Sequence, residues 1–386
     1  MKIERIYLHN FRNYEDIDIH PSESVNILYG RNGSGKTNFL ESIHYCALGR
    51  SHRTNNDKEV VSKNGKEASC HIHVKTETER NKISIRLTPG MDKKKQVIIN
   101  GNKAGRISDL MGKLRCVMFS PEDLMIIKEG PNLRRKYLDM MISQISTGYF
   151  VALQKYARAL DHRNVLLKDM RKTQHVNTDL LDVFEQELIE CAKVIVPMRH
   201  EVIEKLKDYV SRYYGEISNS PNEKISIRYS TCAGEDGEIE ESLKKQFLEN
   251  RERDILYGST SVGIHREDMI FYLNGYEMKT FGSQGQIRTA ALALKLCQID
   301  IFDELTGEKP VLLLDDVMSE LDMTRRTKLI EKISDVQTFI TCTEKSDFVS
   351  NPDYHILEVK MCEGKGIIQE EDQIASAEED MEPEFL

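Results

Sequence analysis

Gly30-Arg31-Asn32-Gly33-Ser34-Gly35-Lys36-Thr37 satisfies the G-x-x-x-x-G-K-[ST] pattern of a phosphate-binding loop. The residue types follow from the chemistry. Phosphate oxygens need several inward-pointing N–H donors, and glycines let a backbone curl tightly enough to supply them. The apolar run Val25-Asn26-Ile27-Leu28-Tyr29 ahead of the loop reads as a short buried strand. After it, Phe39, Leu40, Ile43 and Ala47 share one face of a helix. A strand, a glycine loop and a helix start place the positive end of the helix dipole at the loop. The spacing predicts that residues 30–37 hold ATP, with Lys36 reaching the β- and γ-phosphates and Thr37 offering its hydroxyl to Mg²⁺. The chain is thereby an α/β protein.

A triphosphate site also needs acids. Pro310-Val311-Leu312-Leu313-Leu314-Asp315-Asp316 is an apolar strand ending in carboxylates. Asp315 is the expected Mg²⁺ residue, probing the ion through water because Mg²⁺ dehydrates reluctantly. Asp316 is the candidate to orient or deprotonate an attacking water. The competing reading is a plain helix cap followed by a first-turn acid. Four residues on, Leu321-Asp322 completes a pattern that resembles the ABC ATPase acid pair and D-loop. Gly282-Ser283-Gln284-Gly285-Gln286 resembles the ABC signature, with Gln284 in place of a glycine. Ser283, Gly285 and Gln286 thus become a second anion-seeking helix start, the alternative being an ordinary capped helix.

Outward from these motifs, Ile6, Leu8, Ile17 and Ile19 alternate around Asn13 and predict a hairpin. Residues 68–101 read as further strands, with turns at Pro89-Gly90 and Asn100-Gly101. From about Asn132 to Ile217 glycines nearly vanish, and apolar residues recur at helical spacing. Two or three long helices are expected there, with Pro197 interrupting the last, then a loop-rich return over 218–238. Phe271 to Met278 reads as a hairpin turning at Asn274-Gly275. The expected organisation is an ATPase lobe over 1–128, a helical arm over 129–250, a signature and acid-bearing part over 251–368, and an acidic disordered tail over 369–386.

The net charge of −9 looks wrong for a partner of nucleic acid. However, residues 370–386 hold eight acids and no Lys or Arg, so the body is close to neutral and basic patches can coexist with acidic ones. The eight cysteines form no C-x-x-C pair and read as reduced core residues rather than a zinc site or disulfide scaffold. No run nears the roughly 20 apolar residues of a membrane span, and the charged N-terminus lacks a signal-peptide core. A cytosolic protein is expected.

With these motifs in place, the chain resembles the RecF family of ABC/SMC-type ATPases. Leu8 to Tyr14, Met118 to Leu124, Arg134 to Asp139, Gly263 to Asp268, Gly282 to Leu296 and Leu312 to Asp322 carry the resemblance, with Ile264 where the family usually has Pro. It implies an ABC-type head, a mixed sheet with flanking helices, interrupted by a helical arm. It also implies that the loop of one copy and Ser283 of another share one ATP across a head-to-tail dimer. Asp316 stands where transporters have Glu, and the shorter carboxylate predicts slow hydrolysis. The family role implied is sequence-independent binding to single-stranded or gapped DNA, work with RecO and RecR, indirect help to RecA, and support of the SOS response. Lys93–Lys95, Arg134–Lys136 and Lys244-Lys245 are candidate phosphate contacts, each alternatively a solvated face. Thr343 stands in place of a switch histidine, Glu122 or Asp123 in place of a Gln-loop, and Arg12 is a further candidate at the nucleotide. The rival readings are an ABC-type subunit of another assembly and a nucleotide-bound scaffold that never hydrolyses.

Overall fold

The computed structural model describes residues 1–63, 65–90, 95–218, 220, 222–232, 238–344 and 354–370. The chain opens with a hairpin, β1 (Lys2–Phe11) and β2 (Tyr14–Ile19), in which Ile6 faces Ile19 and Leu8 faces Ile17. The register is fixed because a one-residue slip would turn these side chains to water. Then come β3 (Val25–Tyr29), the loop, α1 (Lys36–Leu48), β4 (Ala68–Lys75), β5 (Arg80–Leu87), β6 (Lys95–Ile99) and β7 (Asn102–Lys103). Strands β2-β1-β4-β5-β6-β7 make one antiparallel sheet, apolar toward α1 and polar on the outside.

β8 (Cys116–Phe119) and the short α2 (Met125–Lys128) lead into α3 (Pro131–Ile145), α4 (Thr147–Thr173) and α5 (Thr178–Ser218). Pro197 lies inside α5 and does not interrupt it. A proline removes one N–H and crowds the preceding turn, but packing of α5 along α4 and α8 carries the helix through. The expected loop after it contains a strand, β9 (Ile225–Ser230). α6 (Ile239–Tyr257) follows, so the helical region runs past residue 250. β10 (Asp268–Leu273) and β11 (Tyr276–Glu277) pair with β9 in a three-stranded sheet. Positive φ at Asn274 and Gly275 makes their turn type I′.

α7 (Met278–Phe281), α8 (Gln284–Thr306), β12 (Val311–Asp315), α9 (Met323–Ile333), β13 (Thr338–Cys342), β14 (His355–Cys362) and β15 (Lys365–Glu370) complete the chain. Gln369 and Glu370 therefore belong to a strand, and the remaining acidic residues, 371–386, lie outside the described residues. The second large sheet, ordered β15-β14-β3-β13-β12-β8, is parallel except at β15. It is covered on both faces, hence its near-continuous apolar strands. Val311 and Leu313 point into one core with α1 and the antiparallel sheet. Leu312 and Leu314 point into the other, with α3, α5 and α8. The parallel sheet is the wall between two cores, and at its C-terminal edge Asp315 lies opposite Thr341 and Cys342 opposite Tyr29. Ligands of open parallel sheets sit at that edge. Among the described residues, no helix is long and apolar enough to cross a membrane.

Candidate nucleotide site

The glycine loop leaves β3 at this edge, and Gly30 and Gly35 are demanded by their surroundings. A Cβ on Gly30 would lie 2.2 Å from the Val359 carbonyl oxygen, and one on Gly35 would lie 2.4 Å from Asn13 Nδ2. Both also have positive φ. Arg31, Asn32 and Gly33 form the exposed lip, while Ser34 is buried, its hydroxyl without a hydrogen-bond partner among the described residues. Lys36 Nζ donates to Gly30 O at 2.6 Å and Arg31 O at 3.1 Å, so its amine lies at the loop. Burial pushes the Lys36 pKa down, and the nearby acids Asp316 and Asp315 oppose that.

The two acid-loop motifs converge. Thr37 Oγ1 donates to Asp315 Oδ1 at 2.9 Å. The same oxygen accepts from Thr341 Oγ1 at 2.8 Å, and the Asp316 N–H donates to Thr341 Oγ1 at 2.9 Å. Burial raises the Asp315 carboxyl, the two threonine donors pull it back, and Asp316 pushes it up again. Asp316 is exposed at a positive φ of 53°, which turns it out of the strand line. The cradle leaves no room for a Cβ at Gly30 or Gly35, and a hydroxyl and a carboxylate meet beside it. That donor set fits a triphosphate with Mg²⁺, a hard ion that takes oxygen ligands.

Residues unmarked in the sequence hold the loop in place. Asn13 Nδ2 donates to Ser34 O at 2.9 Å and Tyr14 OH donates to Gly35 O at 2.9 Å. Asn38 Nδ2 donates in turn to Asn13 Oδ1 at 2.7 Å. Arg12 is spent here. It pairs with buried Glu41 at 2.9 and 2.6 Å and with Glu59 O at 2.6 Å, clamping the hairpin tip to α1. Burial acts to raise Glu41, but the hydrogen bonds from Arg12 and Ser51 outweigh it and hold the carboxyl below its usual range. Asn13 read only as a strand breaker, and Thr341 only as a strand residue. Their partners are distant in sequence, so no local pattern marks them.

Ser283 is the exposed N-cap of α8. Its Oγ accepts from Gln286 N at 3.2 Å, and Gln286 Oε1 accepts from Ser283 N at 2.9 Å, a complete capping box. Gln286 Nε2 also donates to Glu223 at 2.7 Å, so this side chain is engaged within the fold. Gly285 lies in the first turn with open space around it. Asp322 caps α9, accepting from Arg325 N at 3.0 Å. Thr343 is exposed one residue past the end of β13, two positions beyond Thr341. Asp123 is taken up by Lys295 at 2.7 Å and by Ser120 N; with Glu122 it lines a cavity of about 290 Å³ behind β8.

The basic runs are mostly committed elsewhere. Arg134 is buried on Asp268 and Arg135 donates to Glu267 O at 2.7 Å, leaving Lys136 as the exposed member of that run. Lys244 pairs with Glu240 and Lys245 with Glu249. Lys93 and Lys94 lie outside the described residues, and Lys95 pairs with Asp57.

Residues 2–367 match the RecF/RecN/SMC N-terminal domain model. The DNA replication and repair protein RecF of Clostridium kluyveri is 42% identical over 347 residues, covering 90% of this chain and 94% of that protein. The RecF of Acetivibrio thermocellus is 42% identical over 353 residues, covering 90% and 95%. Among solved structures, the recombination mediator protein RecF with ATP, of the RecFOR pathway, is 39% identical. It superposes with a TM-score of 0.87, covering 96% of this chain and 98% of that one. A Pyrococcus furiosus Smc head domain, 19% identical with a TM-score of 0.57, shares the fold.

Proposed function

Because the chain belongs to the RecF family of DNA replication and repair proteins, we propose that it binds Mg-ATP at residues 30–37 and pairs head-to-tail with a second copy on DNA. The observation that carries this reading is the meeting of Thr37, Asp315 and Thr341 at the glycine cradle. ATP, when bound, supplies a triphosphate that two copies can share. The loop amides and Lys36 hold its β- and γ-phosphates. Thr37 and Asp315 hold Mg²⁺, Asp315 through water. Ser283, with Gly285 and the start of α8, presents an anion-seeking helix end to the partner's nucleotide, and Asp322 lies near the same junction. Asp316, exposed and aimed away from the strand, positions water; its short reach makes turnover slow, so ATP acts as a clamp. The bound DNA is single-stranded or gapped, read without sequence preference. RecR and RecO are the expected partners, with recombinase loading downstream, in the cytoplasm. That a homologous RecF was solved with ATP in the RecFOR pathway supports the pathway placement.

Light scattering with and without Mg-ATP tests the reading. The expected result is a doubled mass with nucleotide, lost in Lys36→Ala and prolonged in Asp316→Asn. A mass that stays monomeric with saturating Mg-ATP, with or without DNA, overturns it.

A further inference from the structure

The antiparallel sheet buries one face against α1 and leaves the other open, and the open face has a composition of its own. Pairing places Arg5 beside His73 and His73 beside Lys82. In the next row Tyr7 lies beside His71 and His71 beside Ser84; in the third, His9 beside Ser69 and Ser69 beside Arg86. Alternation puts all nine on the outer side, because their strand neighbours Ile6, Leu8, Ile72, Ile83 and Ile85 are core residues. Tyr7 and His71 form a ring pair at the centre, centroids 5.5 Å apart. Toward β2 the charges are answered, Arg5 by Asp18 and His9 by Asp16. Toward β5 they are not. Lys82 and Arg86 are exposed, and among the described residues no ion pair neutralises either. They stand four residues apart on one strand, about 13 Å, with the rings of β1 and β4 alongside.

We propose that this face, centred on Tyr7, His71, Lys82 and Arg86, is the docking surface for single-stranded DNA. The inference rests on the DNA-binding reading above and names where that DNA lies. A polyanion with exposed bases matches the two elements present: free cations along one strand for phosphates and a ring pair for stacking. The face is a β-sheet and presents no helix to enter a duplex groove, which favours the single strand.

Anisotropy of a labelled 30-nucleotide oligo-dT, titrated with full-length protein and Mg-ATP across a salt series, tests this. Lys82→Gln with Arg86→Gln should weaken binding at least tenfold and flatten the slope of log K against log salt by about 1.4, two phosphate contacts' worth. His71→Ala should weaken binding roughly tenfold with the slope unchanged, as loss of stacking does. ATP-dependent mass by light scattering should be that of the parent in every variant, since none touches the nucleotide site. Parent-like affinity and slope in the variants, while the parent binds, overturns the surface. A duplex weakened as much as oligo-dT by His71→Ala overturns the single-strand assignment. If the parent binds no DNA at any salt, the DNA reading falls and this surface with it.

Discussion

At Asp315 the fold and the site pull in opposite directions. Its carboxyl is raised first by burial, then relieved by Thr341 and Thr37 and raised again by Asp316. For an acid whose folded pKa lies above its unfolded one, the stabilising contribution is full below the ordinary aspartate value. It is lost as pH rises through the folded value. An ionised Asp315 is therefore a cost to the nucleotide-free protein. Asp315→Asn should melt above the parent at about pH 7.5, the gap closing toward pH ~4, while magnesium-dependent ATP binding disappears. Scanning fluorimetry across pH checks it; equal melting at neutral pH, or a gap that widens in acid, contradicts the account. Thr341 answers two groups at once, the Asp315 carboxylate and the Asp316 N–H. Thr341→Val keeps the shape and removes both bonds, which should cost about 1–3 kcal/mol in urea unfolding and weaken ATP binding. The sequence could not reveal this. Thr341 meets Asp315 only because β12 and β13 pair in parallel with those two residues opposite, and that register is a property of the folded sheet. Lys36, Thr37 and Asp315 were legible because their chemistry is written locally, a glycine pattern before a helix and an acid ending an apolar strand.

Elements were legible wherever periodicity was strong, as in the opening hairpin, the buried strands beside the loop, the helical arm and α8. They were misread where a local rule met tertiary packing. Pro197 predicts a break, yet α5 continues because its buried face is held on both sides. β9 was passed over because its pattern is short and follows a turn-rich segment; its stability comes from pairing with β10. The start of α8 shows how one feature can serve two ends. Its capping box is a structural device worth about 1 kcal/mol, and the same Ser283 is the proposed contact to a partner's nucleotide. Ser283→Ala would confound the two. Ser283→Asp separates them, since Asp caps a helix as well as Ser does and suits the dipole, but sets a negative charge before a triphosphate. Stability should stay within about 0.5 kcal/mol of the parent and ATP affinity should hold, while light scattering with Mg-ATP stays monomeric. A normal dimer from this variant would remove Ser283 from the interface.

Across the whole molecule, the arm and the head share a core, with Val25 and Ile27 of the parallel sheet in one cluster with α3, α5 and α8. Arg199 of α5, 1% exposed, ties the same parts by charge. It donates to Asp139 of α3 at 2.7 Å, to Tyr149 OH of α4 at 3.0 Å, and to Ile264 O and Glu267 beyond the arm at 3.0 and 2.5 Å. Glu267 in turn accepts from Tyr229 and Cys232 N, fastening β9. Burial acts to raise Glu267, and the Arg199 charge with its hydrogen bonds overrides it, so the carboxyl titrates below its usual range. In the parent this acid's contribution is therefore present above the ordinary glutamate pKa and lost in acid. Arg199→Met keeps most of the volume but leaves Glu267 buried without its counter-ion, reversing that sign. The variant should lose about 3–5 kcal/mol at neutral pH, and its deficit should grow from pH ~5 to ~8. If arm and head are one cooperative unit, calorimetry will show a single transition that moves down as a whole. An arm that folds independently would instead split off as a separate early transition, with the head melting where it does in the parent.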